Sequence, residues 1–83
     1  MKFWCIADED TARGFRLAGV EAVAVEGAGE AAAALARAAG SADCEVIVMT
    51  EAAAALVRAQ VDEIKLERQR PLIVEIHADI RER

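Results

Sequence analysis

The chain has 83 residues, a net charge of −5 and a sequence pI near 4.8, so it has room for one domain but not for two independent cores. Its lysines and arginines are dispersed, which argues against nucleic acid and anionic membrane surfaces as primary partners, because both require clustered positive charge. No apolar run approaches the roughly 20 residues that span a bilayer, and no signal-peptide pattern begins the chain, so we expect one soluble domain over residues 1–83.

Short apolar runs alternate with longer amphipathic runs along the chain, which is typical of strands that alternate with helices. In chain order the pattern predicts a strand at 3–7, a helix at 11–18, a strand at 22–25, a helix from Glu30 to Gly40, a strand at 46–49, a long helix from Thr50-Glu51 to the residues before Pro71, and a strand at 72–76. Gly19 suits the end of the first helix because glycine readily adopts a left-handed backbone conformation. Pro71 suits the end of the third helix because proline cannot continue one.

Four strands that alternate with three helices predict an α/β fold. Because the strands read as nearly continuous apolar runs, we expect a parallel sheet covered by helices on both faces, in a small Rossmann-like (flavodoxin-like) three-layer domain. The predicted strand order is 2-1-3-4, which places a crevice at the topological switch point between the first and third strands. We expect the polar tail, residues 77–83, to be frayed.

The residues at that crevice predict neither a cofactor nor a metal. The acids at 8–10 stand where a nucleotide site needs a glycine-rich turn, so that backbone N–H groups can approach phosphate. One alternative is a receiver-like signalling domain that binds magnesium in this acidic crevice, although Met49, Thr50 and Glu51 provide no aspartate for phosphorylation at the end of the third strand. The other interpretation is that the acids cap a helix and remain solvated.

The other reactive side chains predict no catalytic site. Cys5 and Cys44 lie in apolar runs without metal-binding spacing, which indicates buried, reduced thiols in a cytoplasmic protein. His77 follows the last strand without a cysteine or serine at a suggestive spacing, and we interpret it as a surface histidine. Glu75 is interpreted as a solvated strand residue. We therefore expect a protein that is not an enzyme.

Gly14 lies in the middle of the first predicted helix, where glycine costs roughly 1 kcal/mol relative to alanine. One interpretation is that the helix packs closely on the sheet through Gly14. The other is functional: Arg13 and Arg16, together with Phe15 or Leu17, contact a partner protein.

Residues 6–20, which contain this glycine, resemble the opening of the F subunit of archaeal, vacuolar-type and related bacterial rotary ATPases. The family signature there is an acid, a threonine, Gly-Phe and Leu-Ala-Gly. Residues 47–51 resemble the family's third strand and its Thr-Glu turn, and residues 71–76 resemble its fourth strand. The signature or partner-contact positions are Arg13, Gly14, Phe15, Arg16, Leu17, Gly19, Thr50 and Glu51.

The resemblance implies a cytoplasmic, non-catalytic subunit of the central stalk, peripheral to the membrane through the ATPase complex. Such a subunit binds the coiled-coil D subunit, rotates inside the ring of catalytic A and B subunits, and helps to couple ATP turnover to ion transport without a cofactor of its own. Family members usually continue into a C-terminal helix that is thought to regulate the ring. The 83 residues end at Arg83, so we expect them to lack that helix.

Overall fold

The computed structural model describes residues 2–68 and 70–77. Its strands are β1 (Lys2–Ala7), β2 (Glu21–Ala24), β3 (Cys44–Thr50) and β4 (Leu72–Ile76), and its helices are α1 (Glu9–Leu17), α2 (Ala28–Ala39), α3 (Glu51–Leu56) and α4 (Arg58–Glu67). The strands form one parallel sheet in the order β2-β1-β3-β4. This order and the α/β class confirm the predicted fold. Apart from His77, the tail predicted to be frayed lies outside the described residues.

The main core lies on one face of the sheet, under α2, α3 and α4. Ile6, Ile47 and Met49 are fully buried there, and Ile73 of β4 is 6% exposed. The alanines of the helices allow close approach to the strands: the buried helical residues of this core are Ala31, Ala34, Leu35, Ala38, Ala53, Ala54 and Val61. On the other face α1 packs against β2 and β1, where Cys5, Ala7 and Ala12 are fully buried.

The predicted third helix is interrupted, which corrects the expectation of one continuous helix. It consists of α3 and α4, separated at Val57, whose φ of −135° and ψ of 43° are not helical. Val57 is β-branched, which disfavours the helical conformation slightly, and its side chain is only 2% exposed. The break lets Arg58 begin a new helix from which its guanidinium reaches Glu75 of β4.

Glycines and polar caps set the ends of the first two helices. Gly19 adopts a φ of 89°, and the N–H of Val20 donates to the Phe15 carbonyl at 2.9 Å, so the predicted left-handed end of α1 is confirmed. Helix α2 begins at Ala28, earlier than predicted, while Glu30 Oε1 accepts a hydrogen bond from the Glu26 N–H at 2.7 Å. No helix within residues 2–68 and 70–77 is long and apolar enough to cross a membrane.

Candidate functional site

The crevice at the carboxyl ends of β1 and β3 is occupied by helix caps. Asp8 is the N-cap of α1: its carboxylate accepts hydrogen bonds from the Thr11 N–H at 3.2 Å and the Thr11 hydroxyl at 2.8 Å. Desolvation raises the pKa of Asp8, but the hydrogen bonds from Thr11 and from the backbone N–H groups of Asp8 and Asp10 outweigh it, so the pKa lies below its ordinary value. The carboxylate is therefore ionised at neutral pH and engaged within its own helix start.

Thr50 and Glu51 lie on the opposite side of the crevice. Thr50 is 3% exposed, and its hydroxyl accepts a hydrogen bond from the Ala53 N–H at 3.1 Å, which caps α3. Glu51 is exposed, and one of its carboxylate oxygens lies 3.2 Å from Nδ1 of the exposed His77. Among the described residues, no three His, Cys, Asp or Glu side chains converge as a metal site. The Asp8 and Thr50 side chains therefore serve as the caps of α1 and α3.

The thiols of Cys5 and Cys44 are buried, whereas reactive cysteines lie in partly exposed, electropositive surroundings. Cys5 is fully buried beneath α1, and burial raises the pKa of its thiol to about 11. Cys44 is 5% exposed, and burial also raises the pKa of its thiol. Both thiols are therefore protonated and weakly nucleophilic at neutral pH.

The arginines of the predicted contact motif share one partner on α1. Arg13 and Arg16 lie 3.5 Å and 3.8 Å from a Glu9 carboxylate oxygen. Arg16 also donates from Nε to the Ala22 carbonyl of the edge strand β2 at 3.2 Å. Arg16 therefore ties α1 to β2, whereas the Arg13 side chain remains 61% exposed.

The close-packing interpretation of Gly14 is wrong. Gly14 is exposed, and a Cβ built on it meets no heavy atom of the described residues within 4 Å. The residue that packs on the sheet is Ala12, which lies two positions away and so on the opposite side of a helix with 3.6 residues per turn. Phe15 is half-buried and Leu17 is 83% exposed, so the motif presents much of its surface to solvent.

Sequence reasoning missed an ion cluster between α4 and β4. Both Glu75 carboxylate oxygens accept hydrogen bonds from Arg58 at 2.8 Å, and one of them lies 2.7 Å from Lys65 Nζ. Hydrogen bonds from Arg58 and then Lys65 lower the pKa of Glu75 to about 2. The expectation of a merely solvated Glu75 is therefore wrong. Arg58 and Lys65 are seven residues apart, which places them on the same side of a helix. This spacing is the feature of the sequence that indicates a shared acidic partner.

The chain is similar to known proteins over nearly all of its length. The family model of the ATP synthase (F/14-kDa) subunit matches residues 4–82. The crystal structure of the F subunit of the V-type ATP synthase from Archaeoglobus fulgidus is similar with a TM-score of 0.70 and 25% sequence identity, covering 90% of this chain and 95% of that chain. No curated protein sequence matches the chain significantly.

Proposed function

Since this chain belongs to the ATP synthase (F/14-kDa) subunit family, we propose that it is a non-catalytic central-stalk subunit of a rotary ATPase. The observation that carries the proposal is the family match over residues 4–82, and the structural similarity to a V-type F subunit supports it. In this role the protein binds the coiled-coil D subunit on the cytoplasmic side and turns inside the ring of A and B subunits. It contributes to coupling ATP turnover to ion transport through protein contacts.

The exposed side of α1 supports a role in protein contact. Glycine in a helix interior costs roughly 1 kcal/mol. Packing against the described residues offsets none of this cost at Gly14, because none of their atoms lies near the position of a Cβ. A bare backbone on a helix surface allows another backbone to approach closely. We infer that Gly14, flanked by Arg13 and Leu17, forms a shallow contact surface for the stalk.

The switch-point crevice is compatible with this non-catalytic role. Its best-placed polar groups, the Asp8 carboxylate and the Thr50 hydroxyl, already accept hydrogen bonds from the first turns of α1 and α3. A ligand that used these groups would have to compete with helix caps that each contribute about 1 kcal/mol. Contact with a partner elsewhere on the domain carries no such penalty.

The test is co-purification with the D-type coiled-coil subunit of the same organism, followed by size-exclusion chromatography at micromolar concentration. We expect the two chains to elute as one complex. Separate elution of the two folded proteins would contradict the stalk assignment.

A pair of variants tests the α1 surface. Gly14→Leu fills the open space above the helix without a clash inside the domain, and we expect it to weaken binding of the D-type subunit. Ala33→Leu adds the same side chain at an exposed position of α2 and serves as the matched control. Equal affinity of the two variants would remove Gly14 from the interface while leaving the co-elution result unaffected.

A further inference from the structure

The helical segment from Glu51 to Glu67 is interrupted at Val57, although its sequence favours one uninterrupted helix. The segment contains neither glycine nor proline, and it consists mainly of alanine and other strong helix formers. Of the described residues 51–67, Val57 alone, with a φ of −135° and a ψ of 43°, leaves the helical conformation. Its β-branched side chain disfavours a helix only slightly, so local preference does not account for the break.

The two helix ends that meet at Val57 lack the usual end signals. Helix α3 has no basic residue in its last turn, and a valine rather than a glycine follows it. Helix α4 begins at Arg58 without a side-chain cap from the described residues and without an acid in its first turn, whereas α1, α2 and α3 each have an acid there. A cation at this position is unfavourable, because the amino end of a helix carries partial positive charge. The neighbouring residues therefore favour neither the end of α3 nor the start of α4.

The burial of apolar side chains does not explain the break either. The buried and half-buried residues of the segment recur at the spacing of one uninterrupted helix, and they are Ala53, Ala54, Val57, Val61 and Ile64. A continuous helix would present the same apolar stripe to the core. The polar contacts of α4 remain as the cause of the break.

Glu75 of β4 supplies the negative charge that the start of α4 lacks. Its two carboxylate oxygens accept hydrogen bonds from Arg58 at 2.8 Å, and one of them lies 2.7 Å from Lys65 Nζ. Arg58 is the first residue of α4, and Lys65 lies in its last turn. The ion cluster therefore binds both ends of α4 to β4 and fixes the direction of the helix.

We propose that α3 and α4 form a two-state element, and that the ion cluster of Glu75, Arg58 and Lys65 holds this element in its broken form. When the ion cluster is lost, residues 51–67 become one helix. The side chains of Arg58, Lys65 and Glu75 are 44%, 40% and 19% exposed, so a charged group of another protein can reach them without unfolding the domain. A partner that binds one of these groups better in one form shifts the balance between the two forms.

The backbone of the first turn of α4 distinguishes the two forms. In the broken form the N–H groups of Arg58, Ala59 and Gln60 have no acceptor within α4, because a helix leaves its first N–H groups unpaired. All three residues are exposed. In a continuous helix these N–H groups would donate to the carbonyls of residues 54, 55 and 56. Loss of the ion cluster therefore leads to new backbone hydrogen bonds at this turn.

The test is amide hydrogen exchange, followed residue by residue by NMR, in the wild type and in Glu75→Gln. In the wild type we expect the N–H groups of residues 58–60 to exchange quickly. In Glu75→Gln we expect their protection factors to rise about tenfold or more, because they gain helical acceptors. A variant that is merely less stable loses protection throughout the domain, so a rise at these three residues is specific to the joining of α3 and α4.

Two further variants control this test. Glu63→Gln removes an exposed carboxylate from the same helix and should leave the exchange of residues 58–60 as in the wild type. Lys65→Gln removes one of the two cations of the ion cluster and should raise the protection of residues 58–60 less than Glu75→Gln does. If Glu75→Gln does not fold, Lys65→Gln replaces it, and the absence of any rise in Lys65→Gln would overturn the proposal.

Three results in the folded proteins would contradict the proposal. Equally fast exchange of residues 58–60 in Glu75→Gln and in the wild type would show that the break does not depend on the ion cluster. Loss of protection from Val61 onwards along α4 would show that the helix unfolds or detaches instead of joining α3. Slow exchange of residues 58–60 in the wild type would show that the helix is already continuous. A rise in Glu75→Gln together with no change in Glu63→Gln supports the proposal.

Discussion

The ion cluster of Glu75, Arg58 and Lys65 is expected to hold α4 on the edge of the sheet, and Glu75→Gln tests this. Strand β4 is an edge strand. Of the described α4 residues, Val61 is fully buried and Ile64 is half-buried, so the helix has a small apolar anchor. Glutamine preserves the size of the side chain and removes its charge. The substitution therefore tests the charge without creating a cavity.

The magnitude follows from the pKa of Glu75, which is lowered from 4.5 to about 2. At 1.36 kcal/mol per unit this corresponds to at most about 3 kcal/mol. The Arg58 and Lys65 side chains are 44% and 40% exposed, and water around such cations weakens an ion pair. We therefore expect Glu75→Gln to lower the free energy of unfolding by about 1–2 kcal/mol, which lowers the melting temperature of a domain this small by roughly 5–10 °C.

The contribution of Glu75 to the free energy of unfolding depends on pH in a defined direction. Because the pKa of Glu75 is lower in the folded protein, its stabilising contribution is fully present above pH 4.5 and is lost as the pH falls through about 2. The free energies of unfolding of the wild type and of Glu75→Gln, measured with denaturant, should differ most above pH 4.5. The difference between them should shrink as the pH falls towards 2. Salt at 1 M should also narrow the difference, because ions screen partly exposed charges.

Glu63→Gln is the matched control for this prediction. Glu63 is an exposed residue of the same helix, and the structure gives it no ion pair among the described residues. We expect its loss of stability to stay below about 0.5 kcal/mol. The reasoning would be refuted if Glu75→Gln were no less stable than Glu63→Gln at pH 7, or if their difference persisted unchanged at pH 2.

Three further predictions concern the helix boundaries and the core. Gly14→Ala should raise the free energy of unfolding by about 0.5–1 kcal/mol, because the position is helical and open. Gly19→Ala should lower the free energy of unfolding by about 1 kcal/mol, because φ at this position is 89°. Chemical denaturation of both variants measures the two opposite effects. Thr50→Ala should lower it by about 1 kcal/mol or more, since it removes the cap of α3, and thermal unfolding against Thr50→Ser measures the loss. The Cys5 thiol should react with a maleimide only at the rate of domain opening, because it is fully buried; a rate like that of a free thiol in native buffer would contradict its burial.

The strands and their parallel arrangement could be predicted because they depend on patterns that are local in the sequence. Apolar runs identify the strands, and the lengths between them allow only crossover connections, which are right-handed. The fourth strand was predicted with its observed bounds, Leu72–Ile76, because Pro71 cannot extend the preceding helix. The predicted capping role of Asp8 likewise required only the residues next to it.

The features that could not be predicted depend on contacts between distant parts of the chain. Ala53, Val57 and Val61 have helical spacing, so nothing local indicates the break at Val57. The partners of Glu75 lie 10 and 17 residues earlier in the chain, and pairing them requires knowing that α4 packs on β4. Gly14 is a different case, because its spacing of two residues from Ala12 already puts the two residues on opposite sides of α1. Only one of them can therefore pack on the sheet, and it is Ala12.

The switch-point crevice and the exposed apolar side chains of β4 differ in what a binding partner would have to displace. A ligand at the switch point must displace hydrogen bonds that Asp8 and Thr50 already make, and each cap is worth about 1 kcal/mol. A partner that covers the exposed Leu72 and Val74 of β4 would displace no hydrogen bond of this kind, because these side chains are apolar.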